Sequence, residues 1–137
     1  MILADTSAWI EYLRATGSAV HLRLLQLLRT GAPLAVTDVV LMEVLAGAAD
    51  DAHQDRLRRL IARCEYLPVE GPSDYLQAAQ LYRSCRGQGV TIRRLPDCLI
   101  AVVAMRCGVA VLHADRDFDA IARCAPLEIA GAMGGSS

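Results

Sequence analysis

The sequence predicts an α/β domain built on a parallel sheet, and three observations predict it. Short apolar runs alternate with longer amphipathic stretches along the chain, as expected when each strand is followed by a crossover helix. With 137 residues, 54% of them hydrophobic, the chain has enough material for one domain with a substantial core. No internal repeat or linker divides it, so residues 1–130 read as one unit and residues 131–137, small and polar, as a frayed tail.

Met1 to Ala4 reads as a short buried strand, and Asp5-Thr6-Ser7 supplies capping side chains for a helix carrying Trp9, Ile10 and Leu13. Arg14 to Gly17 is a break. A second helix runs from about Ala19 to Arg29, with Val20, Leu24, Leu27 and Leu28 as its apolar stripe, and Gly31-Ala32-Pro33 ends it. Leu34 to Val36 is the second strand, followed by cap-type Thr37 and Asp38 and by a helix in which Glu43 interrupts an otherwise apolar stretch. After a turn at Ala48 to Asp51, His53 to Cys64 is amphipathic, with Leu57, Leu60 and Ile61 on one face and Arg56, Arg59 and Arg63 on another.

Tyr66 to Val69 is a third strand, and Gly71-Pro72-Ser73 opens a helix through Leu76, Ala79, Leu81 and Tyr82. A polar loop from Arg86 to Arg94 leads to Leu95-Pro96-Asp97, where proline suits the first turn of a helix whose apolar body is Leu99 to Met105. Cys107-Gly108 closes that helix. Val109 to Leu112 is a fourth strand, Asp117 to Ala122 a short helix and Leu127 to Ile129 a last strand.

Composition narrows the function classes. The formal net charge is −1, which does not advertise a nucleic-acid binder, yet all 14 basic residues are arginine, whose planar fork matches phosphate. Only 4% of residues are aromatic, so base stacking on an aromatic platform is not the expected mode of RNA binding. Five cysteines without a C-x-x-C pair form neither a zinc pattern nor an even disulfide set and read as free thiols of a reducing compartment. No run approaches the roughly 18 apolar residues of a membrane span, and no basic leader precedes the first strand, so a soluble, cytoplasmic protein is expected.

Four acids are placed where chemistry is expected. Asp5 and Asp115 follow apolar runs and lie near strand ends, where ligands of open parallel sheets collect. Asp97 begins a helix, where the dipole favours an anion, and Glu43 lies within an apolar helix, where an unpaired carboxylate is costly to bury. Asp5 and Asp97 could each serve only as helix caps. Gathered together, such carboxylates suit a hard, oxygen-seeking cation. Asp117 and Asp119 continue a D-x-D-x-D pattern from Asp115, in which at least one acid should face solvent.

Several segments carry a family resemblance: Met1 to Ile10 around Asp5-Thr6-Ser7, Thr37 to Glu43, Leu95-Pro96-Asp97 with Ile100-Ala101, and Leu112 to Phe118. In this order they resemble a PIN-domain ribonuclease of the VapC toxin type over residues 1 to 130. The resemblance implies a three-layer domain with a parallel sheet of about five strands between helices. It also implies a pocket in which Asp5, Glu43, Asp97 and Asp115 hold Mg²⁺ or Mn²⁺, with Asp117 as a further acid and Thr6 supporting the pocket through its hydroxyl. One departure is His113, where relatives often carry Thr or Ser.

The implied activity is endonucleolytic RNA hydrolysis by water, which leaves 5′-phosphate and 3′-hydroxyl ends. Arg93, Arg94 and Arg116 are the arginines nearest the acids in sequence and are candidates for phosphate contact. The resemblance further implies a cognate antitoxin as partner, a homodimer, and transfer or ribosomal RNA as substrate. Two competing readings are a phosphoryl-handling module and a non-catalytic domain whose acids only cap helices. The first relies on a lysine beside the phosphoryl group, and the chain has none.

Overall fold

The computed structural model describes residues 1–131. Its elements are β1 (Ile2–Ala4), α1 (Thr6–Leu13), α2 (Ala19–Thr30), β2 (Leu34–Val36), α3 (Asp38–Ala46), α4 (Asp51–Ile61), β3 (Glu65–Tyr66), α5 (Ser73–Gly87), α6 (Leu95–Cys107), β4 (Ala110–Leu112) and α7 (Arg116–Cys124). The proposed tail at residues 131–137 lies, beyond Gly131, outside the described residues.

Four strands form one parallel sheet in the order β3-β2-β1-β4. The chain builds outward from β1 in one direction through β2 and β3, then places β4 on the other side of β1. Strand order therefore reverses between β1 and β4, and the crevice at their carboxyl ends is where such sheets bind ligands. The last predicted strand is reduced to a single bridge between Val111 and Ile129, on the free side of β4. Two hydrogen bonds hold it: Val111 N–H donates to the Glu128 carbonyl and Ala130 N–H to the Val111 carbonyl, each at 2.9 Å.

The central strands are apolar and buried because helices cover both faces: Leu3, Ala4, Leu34, Ala35, Val36, Val111 and Leu112 all belong to the core. Trp9 and Phe118 are its largest fully buried side chains. In α6, every residue from Asp97 to Ala104 is buried, which makes this helix the internal strut of the domain and Asp97 a buried acid.

Several boundaries differ from the sequence reading for local reasons. Strand β3 stops at Tyr66 because Pro68 has no N–H to donate and the Val69 N–H goes instead to the Asp38 carboxylate, at 3.1 Å. Helix α4 begins at Asp51 because Asp50 caps it, accepting from His53 N–H at 2.8 Å. It ends at Ile61, so Arg63 leaves the expected arginine stripe and donates to the Leu28 carbonyl at 3.0 Å. Helix α5 runs on through Gly87, into the stretch expected to be loop. All five cysteines are free, as expected.

Candidate functional site

The site grows from the β1–β4 crevice. Asp5 N–H donates to the Leu112 carbonyl at 2.9 Å, which pins the first residue after β1 to the last residue of β4. The Asp5 side chain caps α1: its Oδ2 accepts from Ser7 N–H at 3.0 Å and from the Ser7 hydroxyl at 2.6 Å. That same hydroxyl accepts from Ala114 N–H at 2.9 Å, so Ser7 ties the loop after β4 to the acid after β1. Asp5 is thus a cap, but only with one oxygen. Its Oδ1 is buried without a hydrogen-bond partner.

Asp97 is not a cap. The capping position of α6 is Arg94, and both carboxylate oxygens of Asp97 are buried and unpartnered. Burial pushes its pKa up to about 9, with further contributions from Asp5, from Asp117 and from Asp115, against a smaller opposing effect of Arg94. Without a cation, this shift favours the neutral form of Asp97. Burial also raises Asp5 despite the Ser7 hydrogen bonds, and Glu43 adds to that rise.

Asp115 and Asp117 share the entrance to α7. Asp115 is its cap, with Oδ1 accepting from Asp117 N–H at 2.9 Å and from Arg93 Nη2 at 2.9 Å. Asp117 accepts from the backbone N–H groups of Arg93 at 3.1 Å and Arg94 at 2.9 Å. Burial alone would raise Asp117, but these donors outweigh it and hold the carboxyl below its ordinary range. Donor oxygens of Asp97, Asp115 and Asp117 all lie within 4.8 Å of one another, the spacing of a cation site.

Glu43 stands on α3, half-buried, outside that compact group. Thr6 anchors it, donating through its hydroxyl to Oε1 at 3.0 Å, and the Arg94 guanidinium pairs with Oε2. Arg93 pairs with both Asp115 and Asp117. Two of the three candidate phosphate-binding arginines are thus paired with the acids themselves, whereas Arg116 is exposed at the start of α7. Sequence reasoning missed Ser7 as the bridge between the two strand ends. A hydroxyl two residues after a strand-end acid was the available signal, since side-chain oxygens at that spacing commonly close cap motifs.

The oxygen-only donor set and the three orphaned oxygens of Asp5 and Asp97 fit a hard divalent cation. Comparison with known proteins agrees with this architecture. A PIN domain family model matches residues 2–123. The chain belongs to the PIN-domain family. Within it, the chain is 44% identical over 131 residues to Ribonuclease VapC11 of Mycobacterium tuberculosis, covering 95% of this chain and 98% of that protein. A VapC ribonuclease of Mycobacterium bovis matches to the same degree, 44% over 131 residues.

Solved structures with the same PIN fold include VapBC2 of Rickettsia felis bound to a promoter DNA fragment, with a TM-score of 0.73 at 18% identity over 95% of this chain and 98% of that one. A toxin–antitoxin complex of Klebsiella pneumoniae has a TM-score of 0.68 at 21% identity, over 94% and 100% of the two chains.

Proposed function

We propose that this PIN domain is a divalent-cation-dependent endoribonuclease and the toxin of a toxin–antitoxin pair. The observation that carries the reading is the group of Asp97, Asp115 and Asp117, with donor oxygens within 4.8 Å of one another, together with the buried, unpartnered oxygens of Asp97 and of Asp5, which follows β1. A divalent cation relieves the repulsion in such a cluster and satisfies its unpartnered oxygens. A bound Mg²⁺, with Mn²⁺ as substitute, supplies charge neutralisation at the scissile phosphate and activation of the attacking water.

In this reading Asp5, Asp97 and Asp115 hold the cation directly, and Glu43 completes the pocket from α3. Asp117 lies close enough to share the cation while it also braces the Arg93–Arg94 backbone. Thr6 orients Glu43. Arg93, Arg94 and Arg116 are the phosphate contacts, and transfer or ribosomal RNA is the substrate class.

Two surfaces support protein partners. A hollow of about 330 Å³ lined by Thr6, Ile10, Leu13, Glu43, Val44 and Leu57 reaches the pocket through Thr6 and Glu43, and it suits an apolar antitoxin segment that would obstruct the site. Met42, Tyr75 and Leu95 are exposed around a second apolar hollow, and they support a homodimer. Among the described residues, no helix is long and apolar enough to cross a membrane, and a cytoplasmic location is part of the proposal.

The test is cleavage of a structured RNA by wild type and Asp97→Asn, with Mg²⁺ and with chelator. Cleavage by wild type with Mg²⁺ only, leaving 5′-phosphate and 3′-hydroxyl ends, is the expected result. Equal cleavage in all samples, or 2′,3′-cyclic phosphate products, overturns the reading.

A further inference from the structure

The residue two places before Asp115 is a histidine with both ring nitrogens facing polar groups. His113 Nδ1 accepts a hydrogen bond from Asp115 N–H at 3.1 Å. Its Nε2 lies 3.3 Å from Asp119 Oδ1, and its ring leans on Phe118 with centroids 5.1 Å apart. The side chain is only 7% exposed, so its placement is held by packing as well as by polar contacts.

An Nδ1 that accepts must be free of hydrogen, so the hydrogen of the neutral ring resides on Nε2, where the Asp119 carboxylate favours it. Because Nδ1 faces an N–H, its lone pair is occupied and the ring is no cation ligand through that atom. The neighbouring amide is held as well, with Ala114 N–H donating to the Ser7 hydroxyl. Two consecutive amides of the β4–α7 loop are therefore clamped by side chains. Immediately beyond them, Asp115 must both cap α7 and present a carboxylate within 4.8 Å of Asp97 and Asp117.

We propose that His113 is a positioning residue: as the Nε2–H tautomer it fixes the Asp115 backbone through Nδ1 and thereby aims the Asp115 carboxylate at the cation pocket. The proposal rests on the cation-pocket reading for its consequence, though not for the tautomer. Asp119, exposed on α7, gains a role as the group that sets the tautomer.

Mn²⁺ titration of purified protein, followed by water-proton relaxation, tests the consequence in wild type, His113→Asn and His113→Leu. Asparagine keeps an acceptor near the Nδ1 position and leucine keeps apolar bulk without one. Loss of a group that orients a metal ligand typically weakens binding about 10- to 100-fold. The leucine variant is accordingly expected to bind Mn²⁺ about tenfold more weakly, and the asparagine variant to stay within about threefold of wild type. Binding by His113→Leu equal to wild type, or an asparagine variant as weak as leucine, overturns the proposal.

A long-range ¹H–¹⁵N spectrum of cation-free wild type needs no substitution. It is expected to show His113 as the Nε2–H tautomer, and an Nδ1–H tautomer overturns the proposal even if the variants do not fold. Absence of Mn²⁺ binding by wild type would sink the pocket reading instead, which the tautomer measurement distinguishes.

Discussion

Arg94 and Glu43, 51 residues apart in sequence, meet as an ion pair at the edge of the acidic pocket. The Arg94 side chain is 44% exposed, so the pair adds little to stability, on the order of 0 to 1 kcal/mol. Its significance is local charge: the arginine neutralises one acid of the set, and its fork is free to exchange carboxylate for phosphate. Replacing Arg94 by Gln is expected to leave the melting temperature nearly unchanged and to tighten Mn²⁺ binding by uncovering Glu43. RNA binding, measured in an Asp97→Asn background to prevent cleavage, should weaken, and its log–log salt slope should fall by about 0.7, the share of one phosphate contact on a single strand. An unchanged slope would remove Arg94 from the RNA interface.

Asp97 makes the cation-free protein sensitive to alkali. Its carboxyl ionises at about 3.8 in the unfolded chain and at about 9 in the fold, so between those values the native state keeps a proton that the unfolded state has released. With the folded value raised, this group's contribution to stability is greatest below the unfolded pKa and declines as pH rises towards the folded one, by at most about 1.4 kcal/mol per pH unit. Asp5, also raised, acts in the same direction. Thermal melts in chelator from pH 5 to pH 9 are expected to fall for wild type and to be flatter for Asp97→Asn. Mg²⁺ should reverse the trend, since its binding releases the proton and tightens as pH rises. Parallel curves for wild type and Asp97→Asn would contradict the assignment.

Asp117 has a structural duty of its own. It receives two consecutive backbone N–H groups, of Arg93 and Arg94, where the chain turns into α6. Replacing it by Ala leaves those donors without a partner, at a cost of about 1 to 3 kcal/mol for each that stays buried. Asp117→Ala is therefore expected to lower stability in chelator, in urea unfolding, by more than Glu43→Gln, whose carboxylate receives only the Thr6 hydroxyl and an exposed arginine. Equal losses for the two variants would show that the Arg93–Arg94 turn does not depend on Asp117.

How much of this was legible in the sequence differs by residue. Asp5, Glu43 and Asp115 stand out as candidates because each is an acid near the end of an apolar run or within an apolar helix, and Asp97 because it opens a helix behind Pro96. Strands β1, β2 and β4 were legible because both faces are buried and their sequences are continuously apolar. Strand β3 was placed but its bounds were not, because both of its residues are exposed and its end is set by Pro68 and by a hydrogen bond from Val69 to Asp38, 31 residues earlier. The α6 capping alternative for Asp97 fell for a similar reason: Arg94 takes the cap position, and the Arg93 and Arg94 amides are drawn to Asp117, 24 and 23 residues away. Long-range polar contacts leave no periodic trace.

Asp74 and Arg106 are the clearest case of such a contact, and they carry the largest expected effect outside the pocket. Asp74 is 1% exposed at the start of α5 and accepts from Glu70 N–H at 2.8 Å. Arg106, near the end of α6, donates to it from Nε at 3.1 Å and from Nη2 at 2.9 Å, and Nη2 also reaches the Pro68 carbonyl at 2.8 Å. Burial would raise the Asp74 pKa, but Arg106 and the Glu70 amide outweigh it and the carboxyl lies below its ordinary range. With the folded value depressed, the stabilisation is present above the unfolded pKa of 3.8 and is lost as pH falls through the folded one. Arg106→Met removes the partner and leaves a buried carboxylate, which typically costs about 3 to 5 kcal/mol. Pairing it with Asp74→Leu should recover much of that loss, because no charge then remains to be solvated. Urea unfolding at pH 7 checks both variants, and a single-variant loss below about 1 kcal/mol would mean that water reaches Asp74 once the arginine is gone. RNA cleavage per folded molecule should be unchanged in either variant, because the contact braces α5 against the C-terminal end of α6, whereas Asp97 lies in its first turn.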